Sequence, residues 1–207
     1  MVKKIVSLIF IFVLFLQFVS NGEENSSNIR LGMSLDEVRI IRNRLEYIPE
    51  NNVWITDIQT GIWIRGIQLN SKKAYASLAF DDNKLSFILY YFVDEYESPA
   101  DYIDHIVQDF KDLNKTMEKA FGSKSEDYSD IKEWMSKSKD PDAGLATAIG
   151  LGAAKLMYGW TFEDGTEVDH YLFGKDLYYN HGIVYKSPDF KEKNHPRNPE
   201  KNLNEEP

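Results

Sequence analysis

One stretch constrains this chain more than any other: residues 73–93 alternate, turn and alternate back. Ala74, Ala76, Leu78 and Phe80 alternate with Tyr75, Ser77 and Ala79, and a longer apolar run from Lys84 to Val93 returns beyond Asp81-Asp82-Asn83. A two-residue Asp82-Asn83 turn predicts Asp81 opposite Lys84, Leu78 opposite Phe87 and Ala76 opposite Leu89. On that register Ala76, Leu78, Phe80, Leu85, Phe87, Leu89 and Tyr91 share one face, and Asp and Asn both tolerate the left-handed turn. A hairpin with one apolar face needs a helix or second sheet to cover it.

Amphipathic helices to do so stand on either side. Ser34 and Glu37 have capping-box spacing, with Met33 and Val38 placed as a hydrophobic staple, so a helix is expected over 34–45 with Leu35, Val38, Ile41 and Leu45 on one side. Ser98 and Pro99 open a second helix over 98–121, striped by Ile103, Ile106, Phe110, Leu113, Met117 and Phe121 and closed by Gly122. Residues 53–59 and 62–69 read as strands parted by Thr60-Gly61. A third helix over 142–150 is built from small residues, and the polar span 123–140 holds a short piece around 131–134. Residues 156–162 and 166–173 form a second hairpin. A three-residue loop, Glu163-Asp164-Gly165 with Gly165 left-handed, aligns Trp160 with Val168 and Leu156 with Leu172. A last strand covers 182–186, and the Pro-, Lys-, Asn- and Glu-rich segment 188–207 is expected to be disordered.

The expected fold class is therefore α+β, an antiparallel sheet with helices on one face. Helix followed by strands occurs twice, which suggests a tandem repeat over 29–97 and 98–187 within one domain, 29–187. Residues 1–22 carry Lys3 and Lys4, an apolar run and small Ser20 and Gly22, the layout of a signal peptide. That run is shorter than the roughly 20 residues of a spanning helix, so no membrane span is expected after cleavage. Residues 23–28 are a polar linker. The chain is exported on this reading, periplasmic or secreted. Its net charge of −9 repels phosphate backbones, which argues against nucleic acid as a partner. It has no cysteine, which excludes disulfides and thiolate chemistry.

Leu31-Gly32-Met33-Ser34-Leu35-Asp36-Glu37-Val38, followed by Phe80-Asp-Asp-Asn-Lys-Leu85, resembles the "G-M-S/T-x-x-E-V … F-x-x-x-K-L" pattern of small exported bacterial domains. These are the SmpA/OmlA (BamE) and beta-lactamase-inhibitor-protein-like group. The resemblance covers about residues 29–93 and implies an antiparallel sheet with helices on one face, acting as a non-enzymatic binding module of the envelope. The leader cysteine of BamE-like lipoproteins is absent here.

Chemical motifs are sparse. Among His105, His170, His181 and His195 no H-x-x-x-H or H-E-x-x-H spacing occurs; His170, His181 and Asp169 could gather around a metal, but a satisfied structural histidine is the expected role. The carboxylates sit in turns, where Asp caps backbone N–H groups. No G-x-S-x-G exists, and Gly150-Leu-Gly152-Ala-Ala-Lys155 lacks the spacing of a phosphate loop. Neither catalytic nor metal-ligating residues are assigned, no cofactor is implied, and no enzyme is expected. What stands out is 12 Tyr, 12 Phe and 4 Trp. Trp54, Trp63, Tyr90, Tyr178 and Tyr179 are the candidate binding residues, for a protein partner or, alternatively, for a glycan of the envelope.

Overall fold

The computed structural model describes residues 29–42, 53–55, 60–69, 72–93, 99–131 and 141–190. The expected leader, linker and most of the tail lie outside these residues. In chain order the elements are α1 (Leu35–Arg42), β1 (Val53–Ile55), β2 (Thr60–Leu69), β3 (Lys72–Asp81), β4 (Lys84–Phe92), α2 (Pro99–Phe121), β5 (Glu126–Asp127), α3 (Pro141–Gly150), β6 (Leu156–Thr161), β7 (Glu167–Lys175) and β8 (Tyr178–Lys186). The fold is α+β: one eight-stranded antiparallel sheet, in the order β1-β2-β3-β4-β8-β7-β6-β5, with helices packed against it. Two runs of four strands thus meet at β4 and β8, the last strand of each.

The helices cover one face. Val38 of α1, with Leu113 and Met117 of α2, packs on Ala76, Leu78, Phe80, Leu85, Ile88 and Tyr90. Farther along, Ile106, Val107 and Phe110 of α2 meet Leu145, Ala146 and Ile149 of α3 over Leu156 and Leu172. Small residues let α3 lie close to the sheet: a Cβ on Gly174 would come within 2.8 Å of the Ile149 carbonyl oxygen. The capping box forms as expected, with Ser34 N–H donating to Glu37 Oε2 at 2.8 Å and Glu37 N–H to Ser34 Oγ at 3.3 Å.

The two pieces of the family-like pattern bond to each other. Gly32 N–H donates to Leu85 O and Leu85 N–H to Met33 O, both at 2.7 Å. Leu35 N–H donates to Asn83 Oδ1 at the hairpin tip. Gly32 sits at φ +85°, the left-handed conformation that the sharp approach requires.

The expected register of β3 and β4 fails one residue past the turn. Asp81 pairs with Lys84 and Phe80 with Leu85, but Ala79 then pairs with Phe87, leaving Ser86 as a bulge. From there Leu78 faces Ile88 and Ala76 faces Tyr90. Phe87, Leu89 and Tyr91 therefore lie on the face opposite Ala76, Leu78 and Phe80, and Tyr90 turns into the helix-covered core. The bulge is held by its own polar groups. Ser86 Oγ donates to Asp81 Oδ2, and Ser86 O accepts from Ser187 N–H at 2.8 Å.

Other boundaries move as well. Thr60 and Gly61 lie inside β2, paired with Phe80 and Ala79, because the ladder to β3 runs through them. A short edge strand, β5, forms at Glu126–Asp127, and the piece expected at 131–134 lies outside the description beyond Ile131. The second hairpin keeps its expected register, Trp160 with Val168 and Leu156 with Leu172, and Gly165 is left-handed at φ +83°. The described body runs three residues into the segment expected as tail, 188–190: Phe190 stacks on Phe87 with ring centroids 4.7 Å apart.

The last strand begins at Tyr178 rather than Gly182, after a two-residue turn at Asp176-Leu177. Leu177 is held there at φ +65°, where its Cβ crowds the following carbonyl. It stays because its N–H donates to Gly150 O at 2.8 Å. Leu177→Gly keeps that bond and removes the crowding; urea unfolding is expected to show a gain of about 1 kcal/mol at unchanged m-value.

Candidate functional site

The bulge at Ser86 gives the sheet a second apolar face, which carries no helix among the described residues. Cross-strand register lays its side chains out in rows. Tyr75, Tyr91, Gly182, Tyr171 and Met157 form one row across β3, β4, β8, β7 and β6. Beside it run Trp63, Ser77, Leu89, Val184, Asp169 and Gly159, and then Gly61, Ala79, Phe87, Lys186, Glu167 and Thr161. The centre of this face is Ala79, Phe87, Leu89, Tyr171 and Val184, flanked by half-buried Tyr91, Met157, Phe173 and Phe190.

Two glycines in the rows are floors for aromatic rings. A Cβ on Gly182 would fall 2.6 Å from Tyr171 Oη, so that ring lies over the glycine toward β4. A Cβ on Gly159 would fall 2.8 Å from the Tyr128 ring, and Tyr128 donates to Glu126. Such cross-strand ring-on-glycine pairs restore the side-chain contact that glycine lacks. Tyr171 also lies beside Phe173, ring centroids 5.3 Å apart.

Polarity is graded over the face. At one end Lys186 donates to Asp169 at 3.0 Å, with Glu167 at 3.9 Å, two carboxylates to one ammonium. In the apolar centre Ser77 Oγ is buried without a hydrogen-bond partner among the described residues, and the buried Tyr171 hydroxyl faces that of Tyr91. Burial, with the Tyr91 hydroxyl nearby, pushes the Tyr171 phenol well above its ordinary pKa, so it remains a neutral donor. A buried hydroxyl without a partner costs about 1–3 kcal/mol.

The helix-covered face holds the polar group most unlike its surroundings. His170 of β7 and His181 of β8 are diagonal neighbours, each at most 2% exposed, with Nε2 atoms 3.0 Å apart. His170 Nδ1 lies 3.3 Å from Asn114 Oδ1, Asn114 Nδ2 donates to Ser125 Oγ, and Ser125 Oγ donates to Glu118 Oε1 at 2.7 Å. If each group bonds in its only consistent sense, His181 donates to His170 and His170 to Asn114. Phe110 stacks on His170 with centroids 4.0 Å apart, and Phe92 packs on His181 at 4.6 Å. Asp169, one residue from His170, points to the opposite face, as strand alternation requires. Among the described residues no three His, Cys, Asp or Glu side chains converge as metal ligands.

The candidate binding residues separate. Trp63 is half-buried in the second row of the helix-free face. Tyr178 is 79% exposed on the same face, opposite Lys175. Tyr90 is sealed in the core at 2% exposure and offers no surface to a partner. Tyr179 packs under α3, its hydroxyl donating to Ala146 O at 3.0 Å. Trp54 lies in β1, its side chain outside the description. Tyr75, Tyr91, Tyr171 and Phe173 complete the aromatic face and were missed. For Tyr91 the signal was Ser86, a small polar residue interrupting the apolar run from Leu85 to Phe92.

No protein-family model, curated protein or solved structure matches this chain. Among the described residues no helix is long and apolar enough to cross a membrane.

Proposed function

We propose that this protein is an exported, non-catalytic binding module of the bacterial envelope, and that it engages a protein partner through the helix-free face. The observation that carries the reading is the aromatic rim of this face: exposed Tyr75 and Tyr178, with half-buried Tyr91 and Phe173, surround a buried apolar centre. Tyr and Trp with depleted charge are the composition of an interface centre, and the Lys186–Asp169–Glu167 cluster supplies a polar rim. The signal-peptide layout supports export, and the pattern shared with the BamE and beta-lactamase-inhibitor-protein-like group supports a binding rather than catalytic role. The imidazole pair is enclosed, out of a substrate's reach.

A photocrosslinking side chain placed at Tyr75 and at Phe173 in the full chain, expressed in its host, is expected to capture the same partner. One placed at exposed Ile40 on α1 should not. Tyr75→Ala with Tyr91→Ala should weaken that complex by about 2 kcal/mol or more, read by titration calorimetry. Equal capture from Ile40, or unchanged affinity in the double variant, would refute the assignment. Binding of peptidoglycan or polysaccharide fragments on a glycan array, lost in the same variant, would make the ligand a sugar instead.

A further inference from the structure

The His170–His181 pair plays no part in the helix-free face, and with Asn114 it joins α2 to the hydrogen-bonded strands β7 and β8. His170 lies in the row Tyr90–Ile183–His170–Tyr158, and His181 in the row His181–Leu172–Leu156. From α2, Phe110 covers both rings and Asn114 closes the hydrogen-bonded chain. We propose that this pair is an acid-sensitive latch between α2 and the β7–β8 hairpin, closed when both rings are neutral and opened by protonation.

The geometry sets the mechanism. Two Nε2 atoms 3.0 Å apart share one hydrogen, so the contact exists with zero or one added proton and is abolished by two. The first proton places a charge between Phe110 and Phe92, whose cation–π attraction is smaller than the hydration that burial removes. Moving that proton onto His170 reverses the His181 tautomer; moving it onto His181 leaves a cation in the core. Among the described side chains, titratable groups on the rows around the pair are Tyr90 from β4, Tyr158 from β6 and Tyr179 from β8, with Glu118 of α2 linked through Asn114 and Ser125. Burial raises all three phenols, so they stay neutral in acid. Hydrogen bonds from the Ser125 backbone and hydroxyl hold Glu118 below its ordinary value, so it stays a carboxylate while the imidazoles titrate.

Burial, then the neighbouring His181, lower the His170 pKa well below 6.5. The unfolded chain therefore takes up a proton before the folded one does. His170's contribution to stability is fully present above about pH 6.5 and is lost as pH falls below it, by up to about tenfold in the folding constant per pH unit.

Hydrogen exchange of the full-length chain, corrected for intrinsic rates, reads the latch locally. Protection of α2 amides from Ile106 to Met117 is expected to fall between pH 7 and pH 5, before that of β3 and β4. In a His170→Phe, His181→Leu double variant that fall should disappear. Long-range nitrogen–proton spectra of the wild-type imidazoles supply a readout needing no variant, and should show His170 neutral at pH 6.5 and protonating in step with α2 opening. Constant α2 protection down to pH 5, the same fall in the double variant, or ordinary titration of His170 near pH 6.5 would each overturn the proposal.

Discussion

Phe110→Ala is expected to destabilise the protein by about 3–5 kcal/mol, the range for removing a fully buried aromatic ring. Phe110 is fully enclosed, stacked on His170 at 4.0 Å and on Tyr158 at 5.7 Å, and it bridges the helix pair to the sheet. Its loss opens a cavity against an imidazole rather than against methyl groups, so water can enter. Since a domain of this kind is stable by about 5–15 kcal/mol, the variant should fold but melt early, which urea titration at pH 8 measures directly. A second consequence separates cavity from chemistry: hydration beside His170 relaxes its lowered pKa, so the variant should show a weaker loss of stability between pH 7 and pH 5 than the parent. A cost below 1 kcal/mol would mean that α2 is not seated on the pair as described.

Gly182→Ala should cost about 3 kcal/mol, near the top of the range for adding one methyl group to a filled site. The added Cβ would stand 2.5 Å from Tyr90 O and 2.6 Å from Tyr171 Oη. The ring can swing aside, but the carbonyl belongs to the β4–β8 ladder and cannot move without breaking the seam between the two runs of strands. In a Tyr171→Ala background the same change should cost less, by a coupling of about 1 kcal/mol, leaving the backbone clash as the remainder. If the two substitutions are additive, Tyr171 does not lie over Gly182 and the aromatic row is not continuous.

Much of the architecture was legible because it follows from local rules. Ser34 and Glu37 announce the start of α1 through backbone donors they alone can satisfy, and Pro99 with Gly122 bracket α2. In the β6–β7 hairpin the apolar side chains and the left-handed Gly165 demand the same register, so the reading held there. In the β3–β4 hairpin they did not conflict until Ser86. Residues 85–92 are apolar on both sides, so alternation carries no information about which side faces the helices, and one bulge exchanged Tyr90 for Tyr91 at the surface. Leu177 hid the β7–β8 turn because a leucine at positive φ is not a turn signal; tertiary bonding to Gly150 holds it there. The imidazole pair is legible only once β7 and β8 are paired, since His170 and His181 share no local spacing.

Leu85 holds the incoming chain through Gly32 and Met33, and its neighbour Ser86 holds the outgoing chain through Ser187. Both ends of the described body are therefore moored at adjacent residues on one hairpin tip. The chain thus enters and leaves the sheet at one corner, and the Tyr75–Tyr91 pair lies at the far end of the same hairpin.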